Sequence, residues 1–263
     1  MEITIDFTKS AQENADVYYK KSKKHAQKRA GAEQAIKKLE KRLKGAAAPT
    51  KSVKRDVIET VKKEWYEKFH WFFTSKRMLV IGGKDAQQND LLNSKHFEEM
   101  DLFFHANIFG ASVMILKGGA DADKESKEEA AQFAACYSSA WKEGLTVVDV
   151  YSVRRNQVSK STGKGAIAAG SFLLKGEREW YRNMALSLVF FKKESRLNAV
   201  PEICLYRLKE RGEAPDEYVI VRHGREKKSD AARKILDALD LSDMDALMQQ
   251  LPSGTFSIRK YGE

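Results

Sequence analysis

The chain has little cysteine: two residues, Cys136 and Cys204, far apart and outside any CxxC. Neither a disulfide framework nor a cysteine-based zinc site is expected. No apolar run approaches the ~18 residues that a membrane helix needs, and the polar amino terminus lacks the apolar core of a secretion signal. The expectation is a cytosolic protein without membrane contact. The five histidines, His25, His70, His96, His105 and His223, make no HExxH or paired metal spacing. A Walker loop, GxGxxG and GxSxG are missing too, and neither cysteine lies in a nucleophile motif. No cofactor, no metal and no catalytic group is expected from these patterns. A chain of 263 residues is long enough for one large domain or two modest ones with a real core.

Acidic residues are scarce in one region only. The net charge is +10, yet residues 1–63 hold 17 Lys and Arg against 8 Asp and Glu, and the remaining 200 residues are nearly balanced. Between Lys20 and Lys44 there are 11 basic residues and two acidic ones, Glu33 and Glu40. A polyanion suits such a stretch; a solvated basic helix is the plain alternative. Lys20, Lys21, Lys23, Lys24, Lys28 and Arg29 are its candidate RNA contacts.

Ser10 with Glu13 has the capping-box spacing, so a helix is expected from there to about Lys44, stopped by Gly45 and Pro49. Val53, Val57, Val61 and Trp65 repeat every four residues and suggest a second helix from Ser52 to Phe69, antiparallel to the first. Ser22, His25 and Arg29 stand where a heptad wants apolar residues, so the hairpin is expected to be weakly packed. From Trp71 the period becomes strand-like. Strands are expected at 71–74, 78–81, 102–106, 112–117, 146–152, 171–174, 187–191, 203–207 and 218–222. Helices are expected at 86–97, 124–142, 230–239 and 243–250. The fold class read from this order is α+β, with a helical hairpin over 1–69 and a mixed sheet-and-helix body over 70–263.

Three segments can carry contacts. Gly82-Gly83-Lys84-Asp85 joins a strand to a helix, so Lys84 and its neighbouring amides can meet a phosphate, or Asp85 can simply cap the helix. His105 and Asn107 follow a strand and can hydrogen-bond phosphate or base edges, with Phe109 placed to stack a base; a satisfied interior His105 is the alternative. The loop from Arg154 to Gly165 has four cations, no acid and interleaved amides and hydroxyls. Its candidates are Arg154, Arg155, Asn156, Gln157, Ser159, Lys160 and Lys164.

Five pieces stand in order along the chain: WYEKFHWFF, IGGKDAQQN, DLFFHANIFGA, QVSK and GSFLLKG. Together they resemble the NFACT-R domain, the RNA-binding module in the carboxy-terminal half of the NFACT proteins of ribosome-associated quality control. Upstream, the Asn14-Ala15-x-x-Tyr18-Tyr19 and Gly31-Ala32 signatures resemble the family's coiled-coil arm. The resemblance finds no counterpart of the family's amino-terminal domain in these residues. It also departs from the usual HADLHGA: Asn107 replaces an Asp and Phe109 a His, which moves weight from chemistry to binding.

The resemblance implies a module that binds RNA and the large ribosomal subunit, with tRNA a further candidate, and that places partners without covalent chemistry. Two other functions are open from the residues: a protein-interaction scaffold built on the hairpin, and a metal-dependent hydrolase in which Asp85, His96, Asp101 and His105 converge.

Overall fold

Ser10 caps the first helix in the way its spacing suggests. The Glu13 amide donates to Ser10 Oγ at 3.2 Å, and the Ser10 amide donates to Glu13 Oε2 at 2.8 Å, so two orphan donors are satisfied reciprocally. The computed structural model describes residues 5–8, 10–45, 64–162, 165–194 and 196–261. Two compact units divide between Lys62 and Lys63. In the first, α1 runs Ala11–Gly45, about 50 Å at helical rise. Residues 52–63 of the expected second helix lie outside the described residues. Its described end, 64–69, is a series of turns rather than helix. Phe69 is buried and Tyr66 packs beside it in the core of the second unit. These aromatics thus belong to the body rather than to a hairpin.

The body begins with β1 His70–Phe73, β2 Leu79–Gly82, α2 Ala86–Lys95, β3 Leu102–Ala106 and β4 Met114–Leu116. After α3 Lys124–Cys136 and β5 Val147–Arg154 come four short strands: β6 Val158–Ser159, β7 Ser161–Thr162, β8 Gly165–Ala166 and β9 Leu173–Leu174. Then follow β10 Glu179–Ala185, β11 Ser187–Lys193, β12 Arg196–Pro201, α4 Glu202–Glu210 and β13 Tyr218–Glu226. The chain closes with α5 Lys228–Ala238, α6 Met244–Gln250 and β14 Phe256–Lys260.

Two antiparallel sheets organise this α+β body. The larger has the order β1-β2-β4-β3-β5-β10, and the smaller β12-β11-β13-β14. Period-two alternation sorts the larger sheet's side chains. Leu102, Phe104, Ala106, Val150 and Tyr181 share one face with Ala130, Phe133 and Ala134 of α3 in the main core. Phe103, Tyr151 and Val153 point the other way, into a second core with Leu92 of α2 and Phe97. A sheet covered on both faces needs few polar positions, which is why β3 and β4 read as nearly unbroken apolar runs.

The expected strand at 203–207 is a helix. Ile203, Cys204 and Leu205 look strand-like in isolation, but Cys204, Leu205 and Leu208 turn to one side and join the main core, a helical spacing. The Tyr206 hydroxyl also donates to Glu202 Oε1 one turn back, at 2.7 Å. The helix expected over 124–142 stops at Cys136. Ser138 Oγ then donates to the Ala135 carbonyl at 2.7 Å and accepts from the Ala140 amide at 3.3 Å, holding a tight turn. Tyr137 and Trp141 remain buried beyond it. Strands β10, β12 and β14 are not among the expected strands, since charged and apolar residues mix along them without clean alternation.

Candidate nucleic-acid interface

Cross-strand register builds an aromatic and cationic row at the open edge of the larger sheet. His105 of β3 stands opposite Tyr151 of β5, which stands opposite Trp180 of β10. The Tyr151 hydroxyl lies 3.3 Å from His105 Nδ1, and the Tyr151 and Trp180 rings meet edge to face with centroids 5.4 Å apart. On the same edge strand the Arg182 guanidinium covers the Trp180 ring at 4.3 Å, while Arg178, just before the strand, covers Tyr151 at 4.5 Å. Arg178 and Arg182 are exposed, and Trp180 retains 37% of its surface. None of these three residues is among the candidates named from sequence. Their signal is Arg-x-Trp-x-Arg at strand spacing, which puts all three on one face.

Sheet-edge chemistry keeps this row open. A bulge between Tyr181 and Met184 and a left-handed Asn183 (φ 53°) interrupt pairing along β10, devices that protect an edge from further strand addition. Asp149 anchors the bulge by accepting from the Asn183 amide at 2.9 Å and Arg182 Nη1 at 2.6 Å. Those two donors hold its carboxyl below the usual carboxylate range. Arg182 therefore stands fixed beside the indole.

His105 is largely an interior group: burial lowers its pKa despite backbone hydrogen bonds at Ala106 and Ala111. At neutral pH it is a neutral partner of Tyr151 and offers no cation to a phosphate. Asn107 is exposed, and its amide donates to the Asp149 carbonyl at 2.7 Å. Phe109 is 98% exposed at the tip of the following turn.

The basic loop is more tightly built than its composition suggests. Gln157 accepts from the Arg154 amide at 2.8 Å and donates to the Lys175 and Glu177 carbonyls at 3.0 and 2.6 Å. Ser159 Oγ donates to the Ser161 carbonyl at 2.9 Å. Lys160 makes an ion pair with Asp90 at 2.6 Å and donates to the Ala168 and Ser171 carbonyls at 3.0 and 2.9 Å. With three donors and three partners, its ammonium holds the loop together. Arg155 lies over Phe97 at 5.0 Å and is half-buried. Arg154 and Asn156 are the exposed members. Lys164 lies outside the described residues.

In the Gly82–Asn89 segment, geometry accounts for most of the motif. A Cβ on Gly82 would fall 1.9 Å from Met114 Sδ, and one on Gly83 would fall 2.1 Å from Asn89 Oδ1. Asp85 accepts from the Gln88 amide at 2.8 Å as the N-cap of α2, and Asn89 Oδ1 accepts from the Val113 amide at 3.3 Å. Lys84 is half-buried, and burial lowers its pKa. On α1, Lys20, Lys23, Lys28 and Arg29 are exposed, and Arg29 pairs with Glu33 at 2.9 Å. Lys21 and Lys24 share that helix.

The four groups proposed for a hydrolase have other occupations. Asp85 caps α2, and His105 faces Tyr151. Asp101 is buried and accepts from Lys117 Nζ at 2.6 Å and the Gly118 amide at 2.8 Å. His96 stacks on Trp65 with centroids 4.5 Å apart. Among the described residues, no three His, Cys, Asp or Glu side chains are grouped to hold a metal ion. Among those residues, too, no helix is long and apolar enough to cross a membrane.

Comparison with known proteins identifies the family. The family profile described as NFACT protein RNA binding domain matches residues 68–176. Ribosome quality control complex subunit NEMF homolog of Drosophila melanogaster is 33% identical over 204 residues, covering 73% of this chain and 20% of that protein. The archaeal Rqc2 homolog aRqcH of Methanocaldococcus jannaschii is 41% identical over 128 residues, 48% of this chain and 19% of that protein. Human NEMF, a ribosome quality control complex subunit, is 31% identical over 203 residues, 74% of this chain and 18% of that protein. The chain spans about a fifth of the length of these curated relatives. The solved C-terminal part of a Streptococcus suis fibronectin/fibrinogen-binding protein aligns with TM-score 0.40 and 22% identity, over 67% of this chain and 77% of that one. The chain belongs to the NFACT family of ribosome quality control proteins, with that family's RNA-binding domain at residues 68–176.

Proposed function

We propose that the body binds single-stranded RNA on the open edge of its larger sheet, and that in the cytosol this RNA is presented by the large ribosomal subunit or by tRNA. The row Arg178, Trp180 and Arg182 supports this above all else. Exposed indole and guanidinium planes offer stacking surfaces for unpaired bases, and the same guanidiniums grip phosphates. The exposed Arg154 and Asn156 are further candidate contacts, while α1 adds sequence-independent attraction through its exposed lysines. The module positions RNA and leaves covalent chemistry to the ribosome.

Fluorescence anisotropy with a labelled single-stranded RNA tests the assignment. Trp180→Ala should weaken binding by about 1–3 kcal/mol, the range for loss of one stacked base. Arg178→Ala with Arg182→Ala should also lower the slope of log K against log salt by roughly 0.7 for each phosphate left without its cation. Affinity and slope unchanged in both variants would remove this face from the interface. The corresponding pelleting assay with purified large subunits tests the ribosomal part. Retention that survives ribonuclease but not removal of α1 would favour the protein-scaffold alternative.

A further inference from the structure

A second surface of the body has the makings of a specific anion site. Lys84, after β2, lines a concave pocket of about 380 Å³ with Lys142, beyond α3, and Lys228, at the start of α5. Ser112 and Ser139 add hydroxyls, and no Asp or Glu belongs to the lining. What distinguishes these three cations is that they line one concavity with no carboxylate among them, in a region whose overall charge is nearly balanced. Other half-buried lysines of the body have carboxylate partners, as Lys160 has Asp90 and Lys117 has Asp101.

The pocket wall also holds an unused polar atom. His70 stacks on Tyr137 with centroids 3.8 Å apart, and its Nδ1 is shut off from solvent without a hydrogen-bond partner. A buried ring nitrogen left unpaired is costly, and in its Nδ1–H tautomer His70 would donate to a ligand oxygen that reaches it. Burial lowers the pKa of both Lys84 and Lys228, so an entering anion would favour their charged forms. Lys228 already has one partner, the Leu251 carbonyl at 2.7 Å, which aims its remaining hydrogens. At the rim, Gly110 belongs to the lining, and Ser139 Oγ donates to the Phe109 carbonyl at 2.6 Å. That bond fixes the turn from which the 98% exposed Phe109 ring projects.

We propose that this pocket receives the terminal phosphomonoester of a single-stranded RNA, with the end base stacked on Phe109. A phosphomonoester carries about −1.5 to −2 charge at neutral pH, more than the single charge of an internal diester, and matches converging ammonium groups better. A concavity of this kind admits a strand end, whereas an internal phosphate arrives with chain on both sides. The proposal rests on the RNA-binding function above and adds recognition of the strand end.

The test compares a labelled decauridylate bearing a 5′- or 3′-phosphate with its hydroxyl-ended counterpart, using the full chain. One phosphorylated end should bind at least about tenfold tighter, as expected for one charge-assisted hydrogen bond. Lys84→Ala with Lys142→Ala should abolish that advantage and leave the hydroxyl-ended affinity unchanged. Neither side chain carries a described hydrogen bond within the fold, and an unchanged thermal unfolding curve serves as control. Phe109→Ala should remove part of the advantage only. Equal affinity of all three oligonucleotides for the wild-type chain overturns the strand-end site while RNA binding stands. Failure of every oligonucleotide to bind overturns both. Competition by free uridine monophosphate as effective as by the phosphorylated strand also overturns it, in favour of a nucleotide pocket.

Discussion

Lys160 and Arg154 sit six residues apart in one basic loop and have opposite duties. The Lys160 ammonium bridges Asp90 to two carbonyls of the 168–171 turn, whereas Arg154 is exposed at the end of β5. Lys160→Ala should destabilise the body by about 1–2 kcal/mol and speed amide exchange across residues 158–174, because carbonyl and carboxylate partners lose their donor. Arg154→Ala should change stability by less than about 0.5 kcal/mol. Urea denaturation of both variants checks the contrast; equal stabilities would mean Lys160 is free to meet RNA. His70 supplies a pH signature. Burial, with Lys84 and Lys228 nearby, lowers its pKa from 6.5 to about 3. The unfolded chain then binds a proton that the folded chain refuses, so this contribution to stability is complete above pH 6.5 and is lost as pH falls toward 3. The limiting slope is about 1.4 kcal/mol per pH unit. His70→Phe should flatten the stability curve in that window, measured by urea titrations at several pH values. An unchanged slope would mean that His70 protonates in place.

At the scale of elements, signature motifs and working surfaces separate. The glycine pair after β2 is required by close packing: Gly83 lies against Asn89, whose side chain ties α2 to Val113. Gly83→Ala should cost about 1–3 kcal/mol through overpacking, read as a lower urea midpoint with RNA affinity preserved at low denaturant. An undiminished midpoint would show that α2 shifts to accommodate the methyl. Likewise DLFF places Asp101 on Lys117 and Phe103 and Phe104 in the two cores. Much of the motif set that marks the family is therefore scaffold. Strand β10, which carries the Trp180 and Arg182 part of the row, is not legible as a strand. Its outward face is cationic and aromatic, its inward face offers Tyr181, and its pairing breaks at Asn183, so no simple alternation marks it. Helix α4 misleads for the converse reason: a β-branched and aromatic run acquires helical form from the core it packs against.

For the whole molecule, charge and specificity reside in different units. The basic excess lies before Lys63, while the stacking row and the three-lysine pocket belong to the nearly neutral body. A chain of residues 63–263 should fold by itself, keep the Trp180-dependent affinity and show a shallower salt dependence than the full chain. The expected difference is about 0.7 for each phosphate that α1 would otherwise neutralise. Calorimetry and anisotropy at several salt concentrations measure this; an identical slope would free α1 of any role in RNA attraction. Spacing and pattern by themselves determined the α+β class and the capped basic helix, because both depend on local propensity, and the order of the five motifs carried the resemblance to the family. Which cations are free to act was decided only by the tertiary structure. Hydrogen-bond partners from distant segments consume Lys160 and Gln157. Register across β3, β5 and β10, and the convergence of Lys84, Lys142 and Lys228, assemble surfaces from residues far apart in the chain.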